Sequence, residues 1–313
     1  MPTTFSGIFS KRKNLKMPQE IAENIFFLEG RRGGRYPYCN SLYISDERSV
    51  LIDPASDPKE LKALERVDLI LLSHFHSDHI RELRLFPKAE IAIHEKEAKA
   101  LKDVKELINL IFFNDEEDEE KNHWIERKKR ELHSESWKFE ITHELKDRQI
   151  INLGTYKIEI IHTPGHTIGH CCFWIEQEKI LFSADIDFTD FGPWYGNACS
   201  SAEDFFHSLE KIKSLKPKLV ITAHEKGIIS GEEFQTQIKV FEKILFEREE
   251  KILEFLAQPR TLEEIVDQAF IYGEFLHKSP SLRPPEKRMV IHHLNWLEKK
   301  GLVKKVNNRW QKI

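Results

Sequence analysis

The segment His74–His79 (HFHSDH) constrains this chain more than any other, because it packs three imidazoles and one carboxylate into six residues. It directly follows the apolar run Val67–Leu72, which predicts a buried β-strand. Polar groups at this density are costly beside a buried strand unless they share a cation. Imidazole and carboxylate suit zinc, manganese or iron(II). We therefore expect His74 and His76 to reach one ion, and Asp78 and His79 to turn towards a second.

Three further candidate ligands follow the same rule of position, since each lies just past the end of an apolar run. His166 comes after a Pro-Gly pair, which forces a tight turn behind its strand. Asp185 and His224 each come directly after a five-residue run, ILFSA and LVITA. If the strands lie side by side, their C-terminal ends form one edge. The sequence therefore predicts that all these side chains converge there.

Short apolar runs bounded by turn residues recur through the first two-thirds of the chain and predict strands. Helical stretches fall between them, over Glu95–Ile111 and Ala202–Leu215. Strands interleaved with helices and hairpin-length links favour an α+β fold, a layered αββα sandwich. The predicted strands are Ile25–Leu28, Leu42–Ser45, Val50–Ile52, Leu69–Leu72, Glu90–Ile93, Tyr156–Ile161, Cys172–Ile175, Ile180–Phe182 and Leu219–Thr222.

The candidate ligands, in this order along the chain, resemble those of the metallo-β-lactamase superfamily, and the similarity covers roughly residues 20–245. The resemblance implies an αββα sandwich with two divalent metal ions along one edge. It also implies that Asp53 matches an early strand-end aspartate that supports the metal loops. The implied ligand sets are His74, His76 and His166 for one ion and Asp78, His79 and His224 for the other, with Asp185 bridging both.

These ligands predict a metal-dependent hydrolase. Two divalent ions can hold a water and lower its pKa towards about 7, which gives a hydroxide that attacks an electrophilic carbonyl or phosphorus. Asp78 or a metal-bound water passes the proton to the leaving group, and the Tyr195 hydroxyl is a candidate donor to the developing oxyanion. We expect a small ester, thioester, lactone or similar substrate. Zinc is the favoured metal, with iron or manganese as alternatives.

The pattern changes after about residue 245, which predicts two domains, 1–245 and 246–313. A short helix over Lys251–Leu256, a capping box opening at Thr261, a helix over Glu286–Lys300 and a closing hairpin are typical of a winged helix. From Lys278 to the end, ten Lys and Arg stand against two Glu, a net charge of +8. This tail either packs on the sandwich, forms a homodimer contact or binds RNA phosphates.

Two alternative functions therefore stay open beside the small-molecule hydrolase. The first is an endoribonuclease that uses the same metal core, with the basic tail holding RNA. The second is a mononuclear iron oxidoreductase resembling the persulfide dioxygenases of this fold. A highly charged stretch from Asp115 to about Asp147 is either a solvated loop or a lid over the pocket.

Composition excludes several classes. Four cysteines without a CxxC pair suit a reducing cytosol, so we expect a cytoplasmic protein. The longest apolar runs are too short to span a bilayer, and the basic residues Lys11, Arg12 and Lys13 precede no apolar signal region. The net charge of −4 argues against a wholesale polyanion binder.

Overall fold

The computed structural model describes residues 18–132 and 137–313. The basic N-terminal residues Lys11, Arg12 and Lys13, and positions 133–136 within the charged stretch, lie outside the described residues. Among the described residues, no helix combines the length and apolar character that crossing a membrane requires.

Two β-sheets pack face to face, as the sequence predicts. The first sheet contains β1 (Gln19–Ala22), β2 (Ile25–Leu28), β3 (Ser41–Ile44), β4 (Val50–Ile52), β5 (Leu69–Leu71), β6 (Glu90–His94) and β7 (His143–Leu145). The second contains β8 (Ile150–Asn152), β9 (Lys157–His162), β10 (Cys171–Ile175), β11 (Ile180–Ala184), β12 (Leu219–Thr222) and β13 (Ile228–Ser230). In the first sheet the strands follow one another in chain order, antiparallel up to β4 and parallel from β4 onwards. The second sheet has the order β13-β12-β11-β10-β9-β8, and only β11 and β12 in it run parallel.

Both faces of each central strand are buried, which explains why these segments are apolar without interruption. Along β10, Cys171 and Phe173 point into the core between the sheets, whereas Cys172 and Trp174 point to the outer helices. The alternation follows from the two-residue repeat of a strand. The two adjacent cysteines therefore serve as small buried apolar groups on opposite faces.

Helices cover both outer faces. The predicted helix over 95–111 is divided in two, because Asp103 leaves the helical conformation and its carboxylate caps the second part by accepting from the Lys105 amide. The first sheet is covered by α2 (Glu95–Lys102), α3 (Val104–Ile111) and α4 (Asp118–Glu131), after the short α1 (Pro58–Leu61). The second is covered by α5 (Ala202–Lys213) and α6 (Gly231–Phe255).

The C-terminal part contains the predicted helices and hairpin, with two differences in their bounds. The segment predicted as a short helix over 251–256 is the end of α6, which passes without interruption through residue 245. The last helix begins at Arg283, ahead of the predicted Glu286, because prolines are tolerated in a first turn. The elements are α7 (Leu262–Val266), α8 (Glu274–Lys278), α9 (Arg283–Lys299), β14 (Val303–Val306) and β15 (Arg309–Lys312).

Helix α9 joins this part to the sandwich. Its Met289 and Trp296 belong to one buried apolar cluster with Phe205 of α5 and Phe241 of α6. The predicted capping box at Thr261 is formed. A continuous helix and a shared core thus connect the two predicted regions, and their division into separate domains at residue 245 stays a prediction.

Candidate metal centre

The predicted ligands converge at one edge of the sandwich because the strands before them end there. The HFHSDH segment follows β5, the turn containing His166 follows β9, and Asp185 and His224 follow β11 and β12. Parallel pairing of β11 with β12 brings the last two side chains to the same edge. Gly165 has a φ of +133°, and a β-carbon there would lie 2.3 Å from the Phe205 α-carbon, so the turn holding His166 requires glycine.

Three imidazoles form the first group. His74 Nε2 lies 2.8 Å from His76 Nδ1 and 3.2 Å from His166 Nε2, and the His76 and His166 nitrogens are 3.0 Å apart. Asp185 Oδ2 lies 3.1 Å from His166 Nε2 and completes the group. Ligands about 2.0–2.1 Å from a tetrahedral zinc ion are separated by about 3.3 Å, so these spacings fit a four-ligand site.

The second group of ligands contains Asp78, His79 and His224. Asp185 also contacts this group. Asp185 Oδ1 lies 2.9 Å from His79 Nε2 and 3.5 Å from His224 Nε2. Asp78 Oδ2 is 3.5 Å from the same His224 atom. The two oxygens of Asp185 thus face different groups, which is the arrangement that the predicted bridging role requires.

Two buried atoms between the groups, His79 Nε2 and Asp185 Oδ1, lie 2.9 Å apart. Neither makes a hydrogen bond to any other group in the described part of the chain. A buried polar atom left unpaired costs about 1–3 kcal/mol. A divalent cation between them would satisfy both atoms, so the donor set fits the metal that the sequence predicts.

The nitrogen of each imidazole that faces away from the centre has its own polar neighbour, which orients the ring. His166 Nδ1 donates to the Trp194 carbonyl at 2.9 Å, and His224 Nδ1 donates to the carbonyls of Gly34 and Tyr38 at 2.8 and 2.9 Å. A proton on Nδ1 leaves the Nε2 lone pair facing the centre. His74 Nδ1 lies 2.9 Å from Ser73 Oγ, and His76 Nε2 lies 2.8 Å from Asn197 Nδ2.

Asp53 holds the HFHSDH segment in place through hydrogen bonds to Ser73 and His79. Its carboxylate accepts from the Ser73 amide at 2.8 Å, from the Ser73 hydroxyl at 2.6 Å and from His79 Nδ1 at 2.8 Å. Its φ of 49° is in the left-handed region, which aspartate and asparagine tolerate better than most residues. These contacts are those expected of an aspartate that holds a metal loop in place.

Burial and neighbouring charges together set the charge states of the ligands. Burial acts to lower the pKa of His79 and His224, but nearby charges, Asp185 among them, raise it overall. Burial lowers the pKa of His74 and His76 well below the usual value, and lowers that of His166, so all three are neutral as metal binding requires. Burial alone would raise the pKa of Asp185. The neighbouring imidazoles, His79 first, lower it well below its usual range, so Asp185 is ionised.

Tyr195 is the predicted catalytic residue that the structure does not bring to the centre. Its side chain is fully buried, and its hydroxyl lies 2.8 Å from His293 Nε2 and accepts from Arg248 Nη1 at 3.2 Å. A hydroxyl enclosed by these partners is not available to a substrate oxyanion. The expectation is corrected because the backbone of this segment turns Tyr195 into the core and its neighbour Trp194 towards His76 and His166.

Glu97 connects two metal loops, and no motif in the sequence points to it. Its carboxylate accepts from the Phe75 amide at 2.9 Å, the Gly169 amide at 2.7 Å and the Thr167 hydroxyl at 2.5 Å. Burial raises its pKa to about 7 although all three donors oppose this. Glu97 stands in the charged helical stretch EKEAKALK, where an acidic residue normally indicates a solvated face.

His170 is not one of the seven predicted ligands, but it also contacts the site. Its Nε2 accepts from the Asp185 amide at 3.2 Å, and its Nδ1 lies 2.9 Å from the Thr163 hydroxyl. It therefore holds the backbone of the proposed bridging residue.

A family model described as the metallo-beta-lactamase superfamily matches residues 35–224. The chain belongs to this superfamily. The match begins before β3 and ends at His224, so it includes all seven predicted metal ligands.

Several named relatives are hydrolases. A probable polyketide biosynthesis zinc-dependent hydrolase from Bacillus velezensis is 37% identical over 109 residues, which are 34% of this chain and 47% of that protein. A hydroxyacylglutathione hydrolase from Methylococcus capsulatus is 31% identical over 147 residues, 46% of this chain and 54% of that protein. The chain thus spans about half the length of these two. A beta-lactamase-like protein 2 homolog from Drosophila melanogaster is 27% identical over 75% of this chain and 70% of its own.

Solved structures share the fold over almost the whole chain. A metallo-beta-lactamase family protein from Thermus thermophilus aligns with a TM-score of 0.67 at 21% identity, covering 94% of this chain and 100% of that one. A beta-lactamase domain protein from Burkholderia ambifaria also gives 0.67, at 15% identity, covering 95% and 93%. These alignments extend beyond the family model into the C-terminal part.

Replacing Asp53 by asparagine tests the support of the second group. The asparagine would keep the left-handed backbone but lose the charge that holds His79, so Asp53→Asn is expected to weaken zinc binding there about 10- to 100-fold. The measurement is zinc titration against a chromophoric chelator. Asp68→Asn, at the other end of β5, is the matched control, since its carboxylate accepts from the Ser49 amide. Equal affinities in Asp53→Asn and the wild-type protein would contradict the proposed support.

Proposed function

We propose that this protein is a metal-dependent hydrolase that holds two divalent ions and cleaves a small ester, thioester or lactone. Zinc is the preferred metal, and iron and manganese are the alternatives. The observation that carries the proposal is the position of Asp185, whose two carboxylate oxygens face two separate groups of ligands. His74, His76 and His166 would hold one ion, and Asp78, His79 and His224 the other. When bound, such ions polarise a substrate oxygen and lower the pKa of water to about 7.

The protein's own groups fix the geometry of the reaction. Ionised Asp185 holds the two groups at a constant separation, and its backbone amide is held by His170. Asp78 lies at the same edge, with Oδ2 3.5 Å from His224 Nε2. We assign to it the transfer of the proton that the attacking water gives up to the leaving group. A rigid site of this kind stabilises developing charge without reorganising at the moment of reaction.

Aromatic side chains next to the centre favour a substrate with an apolar part. The Trp194 ring lies against the rings of His76 and His166, at 5.6 and 5.3 Å between centroids. Its Nε1 donates to the Tyr272 hydroxyl at 2.8 Å, which fixes the indole. This wall suits the acyl group of an ester or thioester, and the hydroxyacylglutathione hydrolase relative supports an acyl substrate.

The ion pairs of the C-terminal part weigh against the ribonuclease alternative. Seven of the ten basic residues that give this part its charge of +8 pair with carboxylates, several of them from outside the segment. Paired cations release fewer counterions when they meet phosphate. The paired residues are Lys278, Arg283, Lys287, Arg288, Lys299, Lys300 and Arg309.

Asp185→Asn is the most direct mutational test of the hydrolase. The variant loses the charge that faces both groups, so turnover is expected to fall by far more than tenfold, or more than about 1.4 kcal/mol in barrier, with loss of metal from at least one group. The measurement is hydrolysis of a panel of thioesters, lactones and esters, together with metal content. The control is Asp190→Asn, five residues further on, whose exposed carboxylate pairs with Lys226. Normal occupancy and near-normal rates in Asp185→Asn would show that the bridge is misassigned.

Charge reversal on the hairpin tests the ribonuclease alternative. Lys304 and Lys305 lie on β14, and neither is among the seven paired residues. Lys304→Glu with Lys305→Glu is expected to leave small-substrate turnover unchanged. Filter binding of a short RNA is repeated over a range of salt concentrations. We expect it to show no salt-dependent affinity in the wild-type protein or in the double variant. A clear loss of RNA binding or cleavage in the double variant, with its circular dichroism unchanged, would favour the ribonuclease.

A further inference from the structure

We propose that the C-terminal helix α9 positions the metal ligand His76 through a chain of two hydrogen-bonded residues, His292 and Asn197. The inference rests on the proposed metal site and assigns to the C-terminal part a role in it. Neither residue belongs to the ligand set, and we assign both as positioning residues.

The segment Trp194–Asn197 is the link between the two parts. It lies between β11 and α5, and it contains neither helix nor strand. Towards the metal centre, the Trp194 carbonyl accepts from His166 Nδ1, and the Asn197 carboxamide lies 2.8 Å from His76 Nε2. Two of the three imidazoles of the first group therefore have their outer nitrogens against this one segment.

The C-terminal part holds the same segment from its other side. His292 Nε2 donates to the Asn197 carbonyl at 2.8 Å. Arg288 Nη1 donates to the Gly196 carbonyl at 3.3 Å. Both side chains are buried, and both come from α9. Tyr272 bonds to Trp194 and His293 lies against the Tyr195 hydroxyl, so four contacts from beyond residue 270 fix a segment that has no ladder hydrogen bonds of its own.

The Asn197 contact bears on the tautomer of His76 as well as its position. If His76 binds a cation through Nδ1, its proton is on Nε2, which must then donate to an oxygen. Rotating the Asn197 carboxamide by half a turn places its oxygen at that point, since its two polar atoms occupy equivalent positions. His292 donates to the Asn197 backbone carbonyl, and the Asn197 backbone N–H donates to the Ser200 hydroxyl at 3.2 Å. The carboxamide can therefore fix both the tautomer and the ring orientation of His76.

His292→Ala in the full-length protein tests the chain of contacts. Loss of the donor should free the Asn197 carbonyl and loosen His76, so we expect zinc affinity at the first group to fall about tenfold or more, as loss of a contact behind a metal ligand typically causes. Competition with a chromophoric chelator measures the affinity. Cobalt(II) substitution gives a second readout, since a change in the His76 geometry alters the visible absorption bands. His292→Gln, which restores a donor near the same position, is expected to recover both signals.

Asn197→Ala removes the other link of the chain. Because both residues act through one chain, the double variant His292→Ala with Asn197→Ala should lose no more affinity than the more affected single variant. If His292→Ala does not fold, His292→Leu takes its place, because leucine fills most of the volume and donates nothing.

The matched control is Leu294→Ala, two residues further along α9. Leu294 is fully buried in a cluster with Leu256 and Leu297 that contains no residue of the segment Trp194–Asn197, so its loss removes packing without touching that segment. We expect this variant to be less stable but unchanged in zinc affinity and cobalt spectrum. Wild-type signals in His292→Ala, or an equal loss in Leu294→Ala, would overturn the inference. A wild-type protein that binds no metal would instead defeat the proposed function.

Discussion

The ionised carboxylate of Asp185, held between two groups of imidazoles, is the interaction on which the rest of the site depends. Its side chain is 11% exposed, and its charge is stabilised first by His79 and also by His224, the two imidazoles whose own pKa is raised. A buried charge persists only where opposite charges or hydrogen bonds compensate the loss of water. Burial lowers the pKa of His74, His76 and His166, whereas nearby charges, Asp185 among them, raise the pKa of His79 and His224 against the effect of burial. Without it the edge of the sandwich would contain a set of buried, uncompensated polar groups.

The fold brings this about by ending strands at one edge and supporting each ligand from behind. Asp53 after β4 holds the HFHSDH segment, and Glu97 at the start of α2 joins that segment to the turn of His166. The C-terminal part adds a third support through the segment Trp194–Asn197. The helices that cover the outer faces therefore stabilise the sandwich and also orient the groups at its edge.

Much of this arrangement could be predicted from the chain alone. The α+β sandwich and its superfamily are confirmed, because apolar strands and a dense ligand motif leave a local signature. Of the supports, Asp53 was implied by the resemblance to the superfamily. Glu97 and Asn197 could not be predicted, since they act through contacts with residues far away in the sequence. The role predicted for Tyr195 was wrong because position in the chain does not tell which of two adjacent aromatics faces the core. Counting charges in the sequence gives +8 for residues 278–313, but the count does not reveal that most of these basic residues form ion pairs in the folded chain.

The central claim is that the seven converging side chains form a site for two divalent ions. Elemental analysis of protein purified without chelators tests it most directly, with zinc, iron and manganese measured against protein concentration. The account predicts close to two transition-metal ions per chain, and a clear loss in Asp185→Asn measured in parallel. Protein that carries no metal, and takes none up when zinc, iron(II) or manganese is supplied to the folded chain, would contradict it.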